Sequence, residues 1–282
     1  MSDKQRIART FAAAASDYDA HAVVQRHAAQ QLALRAQTQW PQLPAAARML
    51  EIGCGTGNLS TLLLQTYPHA ELLATDLAPT MVEACRQRLG ADAPQVTEAL
   101  QPFPPLQPMQ ATPPTPRVRF AVADGEHIDA HAADLVASSL VFQWFADPAA
   151  ALRRLALQTP RLAVATLLDG TFAEWRAAHT AAGVDDGVRS FMTEETLRAL
   201  CAQLGASVVV ETVHEYHPDV LQFVRALKAI GAGTARPGHR PAPLQRVLRA
   251  FPHGIAVSYR VAYVLAENTS LLGRLRLLDM RG

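Results

Sequence analysis

Glu51-Ile52-Gly53-Cys54-Gly55-Thr56-Gly57 decides the fold. A short apolar run at 48–53 leads into it and a helix-like stretch at 58–67 leads out, so its glycines stand where a strand turns into a helix. Glycine lets the backbone turn tightly there, and lets a ligand lie against it with no Cβ in the way. Asp76 lies nineteen residues beyond Gly57, at the end of the next apolar run. A carboxylate in that position can accept both hydrogen bonds from a ribose 2′,3′-diol, which implies a nucleoside-bearing cofactor. Dinucleotide folds use G-x-G-x-x-G with the pyrophosphate at a helix N-terminus. Here the spacing is G-x-G-x-G, and Asn58 stands where the third glycine belongs. Glu51, two residues before the first glycine, repels a pyrophosphate, yet it can accept a hydrogen bond, directly or through water, from an amino group such as that of methionine. A NAD-linked reductase is the lesser alternative on the same residues.

Outward from this turn, apolar runs alternate with helical periodicity. Runs at 48–53, 71–76, 118–123, 134–138 and 161–168 read as strands. Stretches 58–67, 79–89, 148–157 and 172–182 read as helices, two of them opened by Pro79 and Pro148. The repetition predicts an α/β fold, a doubly wound and mostly parallel sheet covered on both faces. Valine-rich runs at 207–214 and 255–265 complete a seven-stranded sheet. Residues 1–40 form an N-terminal helical unit and 41–282 the main domain, within which 169–250 is a partly helical substrate-side region. Segment 91–117 holds eight of the chain's nineteen prolines, which excludes helix and interior strand and predicts a loop insertion.

The 282 residues are 49% hydrophobic and 18% charged, which supports a sizeable core and argues against intrinsic disorder. No apolar run approaches the roughly 20 residues of a spanning helix. The basic N-terminus leads only into Phe11 and four alanines, too short and too weakly apolar for a secretory signal, so a cytoplasmic protein without membrane contact is expected. Cys54, Cys85 and Cys201 lack metal or redox spacing and read as reduced thiols. The net charge of +1 hides an asymmetry: residues 1–218 hold 16 basic and 22 acidic side chains, and residues 219–282 hold 10 and 3. Between 220 and 266 there is no Asp or Glu, a surface toward which an acidic partner is steered. Nucleic acid is disfavoured, because this basic part lacks interleaved aromatic residues.

The glycine turn resembles motif I of the class I S-adenosylmethionine-dependent methyltransferases, and further motifs of that superfamily follow in order. Asp76-Leu77 with Met81 is similar to its ribose and adenine motif, Asp124-Gly125 to its adenine-edge motif, and 134–140 to its fourth strand. The resemblance implies S-adenosylmethionine as cofactor, bound by Glu51, Gly53, Cys54, Gly55, Gly57, Asp76, Leu77, Met81, Asp124, Gly125, Ser139 and Leu140. It also implies a helical cap, 1–40, over the cofactor cleft and a last strand antiparallel to the others. Phe11-Ala12-Ala13-Ala14-Ala15-Ser16-Asp17-Tyr18-Asp19-Ala20-His21-Ala22, followed by Gln25, is similar to the opening of the BioC-type malonyl-acyl carrier protein O-methyltransferases of biotin synthesis, F-x-x-A-A-x-x-Y-D-x-x-A-x-x-Q. Ser138-Ser139-Leu140-Val141-Phe142-Gln143-Trp144 resembles the family's S-N-L-x-x-Q-W, with Ser139 in place of the usual Asn. Ser190-Phe191 and Thr193 resemble its substrate-side turn, and Leu227-Lys228-Ala229-Ile230-Gly231-Ala232 its L-K-x-I-G-A. The proline-rich insertion is extra, and the usual arginine- and glycine-rich stretch is reduced to Arg236-Pro237-Gly238-His239-Arg240.

The implied activity is methylation of the free carboxylate of a malonyl thioester, carried on acyl carrier protein or coenzyme A, early in biotin synthesis. Alternatives on the same fold are a small-acid methyltransferase of the trans-aconitate type, a quinone-ring methyltransferase, or a cofactor-binding assembly protein without catalysis. A carboxylate is already ionised at pH 7, so its methylation needs alignment and exclusion of water rather than a general base. Tyr18, in the segment that covers the cleft, is expected to position rather than to deprotonate, with Asp19, Phe142 and Gln143 on the substrate side. His214 and His217 read as surface histidines. His127 and His131, beside Asp124 and Asp129, lie in a loop whose Asp124 is assigned to adenine, so no metal is expected. Arg225 and Lys228, three apart on one helical face, are candidates for the carrier, its phosphate or the malonyl carboxylate, with Arg240, Arg246 and Arg249 as outer rim. A monomer is expected.

Overall fold

Seven strands form one sheet in the computed structural model, which describes residues 2–44, 46–90, 118–240 and 245–272. They are β1 (Arg48–Ile52), β2 (Glu71–Asp76), β3 (Val118–Val122), β4 (Leu135–Ser139), β5 (Arg161–Leu167), β6 (Ser207–His217) and β7 (Ile255–Glu267). Their order is β3-β2-β1-β4-β5-β7-β6. The first five pair in parallel, and β7 runs antiparallel to both of its neighbours, β5 and β6. The seven-stranded, mostly parallel sheet with an antiparallel last strand is thus borne out. Segment 91–117, the expected proline-rich loop, lies outside the described residues.

Alternation along each strand sends successive side chains into opposite layers, so strands apolar at every position are buried on both faces. Met49, Leu72, Leu135, Ala163 and Val261 share one layer with α3 (Val23–Gln39), α4 (Asn58–Thr66), α5 (Pro79–Leu89), α7 (Ala173–Ala181) and α9 (Val220–Ala229). Leu50, Leu73, Val136, Val164 and Ala262 share the other with α6 (Pro148–Gln158) and α8 (Glu194–Leu204). Side-chain caps start several of these helices: Asp147, Thr193 and Asp219 accept from Ala150, Thr196 and Gln222. No helix among the described residues is long and apolar enough to cross a membrane.

The N-terminal unit divides. α1 (Asp3–Ala14) and α2 (Tyr18–His21) lie over the carboxyl ends of the strands, but α3 does not. Its Val24, Ala28, Leu32 and Ala36 are buried against the sheet as part of the core layer. Strand order reverses between β1 and β4, which places the crevice of this fold at their carboxyl ends.

Candidate active site

β1 delivers the glycine turn to this crevice. Gly53 and Gly55 stand at φ +74° and +52°, backbone that side chains rarely adopt. The turn is held from below. Thr75 O accepts from Gly53 N at 2.7 Å and from Cys54 N at 2.8 Å, and Ser138 Oγ donates to Ile52 O at 2.8 Å. Asp76, at the end of β2, closes the loop: its Oδ2 accepts from Gly55 N at 3.0 Å and its Oδ1 from Ala78 N at 2.8 Å. Each oxygen has a further lone pair, and Asp76 lines the cleft with Leu77, Asp124, Gly125, Ser139 and Leu140. Burial raises its pKa, opposed by the N–H bonds of Ala78, Gly55 and Leu77. A Cβ added to Gly55 would meet no atom within 4 Å, so the space over the turn is open to a ligand. Across the cleft, Ser139 Oγ is buried with no hydrogen-bond partner among the described residues, a polar atom that a ligand can satisfy.

Four expected cofactor contacts are turned elsewhere, and none lines the cleft. Glu51 is 1% exposed beneath the turn, where its Oε2 accepts from Ser60 Oγ at 2.5 Å. Burial, opposed by that bond, pushes its pKa up to about 7. Cys54 keeps its thiol against Cys85, and that contact, with burial, raises its pKa. Gly57 serves helix packing, since a Cβ there would lie 3.1 Å from Cys85 Sγ. Met81 is wholly buried in the first turn of α5.

The substrate-side expectations also sort by environment. Phe142 is a core residue, 2% exposed and packed on Phe145 at 4.8 Å between ring centroids. Asp19 accepts from Thr56 Oγ1 at 2.7 Å and pairs with Arg88, so it pins α2 to the glycine turn, and it does not line the cleft. Gln143 and Lys228 line a second cavity, described below. Arg225, Arg240, Arg246 and Arg249 are exposed and line neither space. His214 is exposed and lies 3.2 Å from Ser258 Oγ, whereas His217 is buried against Phe223 and is no surface histidine.

Asp124 lines the cleft with a partner the sequence did not announce. Lys4 Nζ sits 2.5 Å from Asp124 and 2.7 Å from Glu126, so an ammonium occupies the Asp124, Glu126 and His127 cluster. Burial raises the Asp124 pKa, but hydrogen bonds from Lys4 and His127 outweigh it and hold the carboxyl below its usual range. Lys4 belongs to a face of α1, with Ile7, Ala8 and Phe11, that covers the cleft at helical spacing.

Phe11, Tyr18, Leu140 and Trp144 line both this cleft and a cavity of about 410 Å³, and so form the junction of the two. Phe11 meets Trp144 edge to face, 5.3 Å between centroids. Leu140 holds φ +55°, a strained turn braced where Gln143 Nε2 donates to its carbonyl at 2.7 Å. Tyr18 is half-buried; burial, then the carboxylates of Asp76 and Asp19, push its pKa up. The phenol therefore stays protonated and is available as a donor. The cavity beyond is walled by Phe172, Trp175, Phe191 and Tyr259, with His179 and Arg189 among them. His179 and Arg189 escaped sequence reasoning, although Arg189 directly precedes the Ser190-Phe191 turn.

Residues 50–158 match the methyltransferase domain family. A malonyl-[acyl-carrier protein] O-methyltransferase of Geobacter sulfurreducens is 33% identical over an alignment of 292 positions, gaps included, that covers 93% of this chain and 98% of the relative. The chain belongs to the malonyl-[acyl-carrier protein] O-methyltransferase family. A relative from Magnetococcus marinus with the same name is 35% identical over 269 residues, 92% of this chain and 90% of that one. The biotin biosynthesis bifunctional protein BioCD of Bordetella avium is 36% identical over 91% of this chain, which spans 51% of that longer protein. Among solved structures, the plantazolicin methyltransferase BpumL in complex with SAH shares the fold at a TM-score of 0.50 and 17% identity, covering 94% of this chain and 95% of that one.

Proposed function

We propose that this chain transfers a methyl group from S-adenosylmethionine to the free carboxylate of a malonyl thioester on an acyl carrier protein, an early step of biotin synthesis. Family membership supports the activity. The observation that carries the acceptor class is the junction itself: Phe11, Leu140 and Trp144 are apolar, and Tyr18 is a phenol held protonated. An acceptor that must first lose a proton finds no base among these four residues. A carboxylate arrives ionised.

The cofactor is S-adenosylmethionine, which when bound supplies an electrophilic methyl on a sulfonium. The open face of Gly55 would admit it, Asp76 would accept from the ribose hydroxyls, and Ser139 Oγ would gain the partner it lacks. Phe11 and Trp144 would exclude water at the junction, and the Tyr18 hydroxyl would donate to one oxygen of the acceptor carboxylate, leaving the other free to take the methyl as its bond to sulfur breaks and S-adenosylhomocysteine leaves.

The carrier is met by the acid-free stretch. Arg236 and Arg260 are neutralised by Asp185 and Glu194. Arg225, Lys228, Arg240, Arg246 and Arg249 are exposed and make no ion pair among the described residues, and Lys228 also lines the cavity that would take the acyl arm. Mass spectrometry of malonyl-acyl carrier protein, malonyl-CoA and trans-aconitate after incubation with S-adenosylmethionine tests the assignment. The methyl ester on the carrier is expected. Methylation of trans-aconitate alone, or of none of the three, overturns it.

A further inference from the structure

Arg189 stands in the cavity wall with its side chain 15% exposed. Its guanidinium carbon lies 5.6 Å from the centroid of Trp144, a junction residue. Of the other basic side chains in this wall, His239 lies 2.7 Å from Asp185, His179 lies 2.9 Å from Trp175 O, and Lys228 is exposed. Arg189 is also fixed by its backbone, because Arg176 Nη2 donates to its carbonyl at 3.0 Å.

Its fork already holds a carboxylate. Nη2 lies 2.7 Å and Nη1 3.4 Å from the two oxygens of Asp3, the first residue of α1. The contact shows that this guanidinium takes a carboxylate partner, and Arg189 itself lines the cavity. Asp3 has a second cation, Arg6, whose Nη2 is 2.7 Å from Oδ1. If another carboxylate takes the fork, Asp3 keeps Arg6. The exchange trades one charge-assisted pair for another and strands no buried charge.

We propose that Arg189 binds the acceptor carboxylate at the junction, Asp3 being the resident carboxylate that yields the fork and retains Arg6. This assignment rests on the malonyl-thioester acceptor argued above. It makes Arg189 the residue that tells a malonyl group from an acyl group without a carboxylate.

The test is calorimetric binding of malonyl-loaded and acetyl-loaded carrier protein to the full chain with S-adenosylhomocysteine present, so that nothing turns over. The wild type should prefer the malonyl carrier by about ten- to a hundredfold, the range of one charge-assisted bond. Arg189→Met should bind both carriers at the acetyl level, and Arg189→Lys should recover part of the preference. Asp3→Asn, which removes the competitor, should tighten the malonyl carrier several-fold and leave the acetyl carrier unchanged. A merely structural clasp predicts the opposite: Arg189→Met weakens both carriers alike and Asp3→Asn weakens the malonyl carrier. Either of those results, or a preference that survives Arg189→Met, overturns the proposal. A wild type that shows no preference and forms no methyl ester instead overturns the malonyl assignment, and one that forms the ester without preference overturns only the role of Arg189.

Discussion

Gly55→Ala separates the cofactor cleft from the fold that builds it. A methyl at this position would touch no protein atom within 4 Å, so the folded chain suffers no collision. Its φ of +52° still makes alanine unfavourable, by about 1 to 2 kcal/mol. The same methyl projects into the space over the turn that the ligand is to fill, and a tenfold loss of affinity, about 1.4 kcal/mol, is the least expected. Thermal unfolding with and without S-adenosylhomocysteine reads both effects. At a ligand concentration of about 100 times the wild-type Kd, the wild type gains about 2.7 kcal/mol and a tenfold weaker variant about half as much. Gly53→Ala is the contrast, because its Cβ would lie 2.2 Å from Val141 Cγ2 and must displace protein rather than ligand. A Gly55→Ala protein with the full wild-type ligand shift refutes the placement of the cofactor over this turn.

Asp76→Ala removes both carboxylate oxygens from the cleft and should weaken S-adenosylhomocysteine at least about a hundredfold by calorimetry, each charge-assisted bond contributing about 1.5 to 3 kcal/mol; unchanged affinity removes Asp76 from the site. Glu51, with its folded pKa at about 7 against 4.5, contributes most to stability below pH 4.5 and loses that contribution as pH rises through 7. Ligand-free wild type should therefore lose up to about 3 kcal/mol relative to Glu51→Gln between pH 5 and 8 in denaturant melts, and parallel pH curves would contradict the buried carboxyl. Arg246→Glu with Arg249→Glu should raise KM for malonyl-acyl carrier protein and reduce its salt dependence while sparing malonyl-CoA. Equal losses on both substrates would place these arginines outside carrier docking.

The sheet was legible because its signals are local. Apolar runs between proline- and glycine-marked helix ends fix each strand, and the glycine turn with Asp76 fixes where they converge. Cofactor contacts were legible only as far as the chain positions them. Gly55 and Asp76 face the cleft, but the motif spacing does not tell which neighbours turn inward, and Glu51, Cys54 and Met81 point away from it. The face of α1 was readable in principle, since Lys4, Ile7, Ala8 and Phe11 recur at one helical period. What they face was not, because Asp124 is 120 positions away in sequence. Arg189 is hidden for the same reason: a lone arginine acquires meaning only when Trp144 and Asp3 are brought to it.

The junction is where these distant pieces meet, and α1 ties them together. Within its first turn, Asp3 reaches Arg189 of the cavity wall while Lys4 reaches Asp124 and Glu126 beside the cleft. Both groups remain partly exposed, with Asp3 at 32% and Lys4 at 31%, and ion pairs in such settings contribute about 1 kcal/mol or less each. The cap is thus held by weak polar contacts in its first turn together with buried Ile7 and Ala14 and the Phe11–Trp144 contact. The chemistry of the acceptor then follows from what the closed cap leaves at the junction: aromatic walls, one protonated phenol, and a guanidinium whose present partner is a carboxylate.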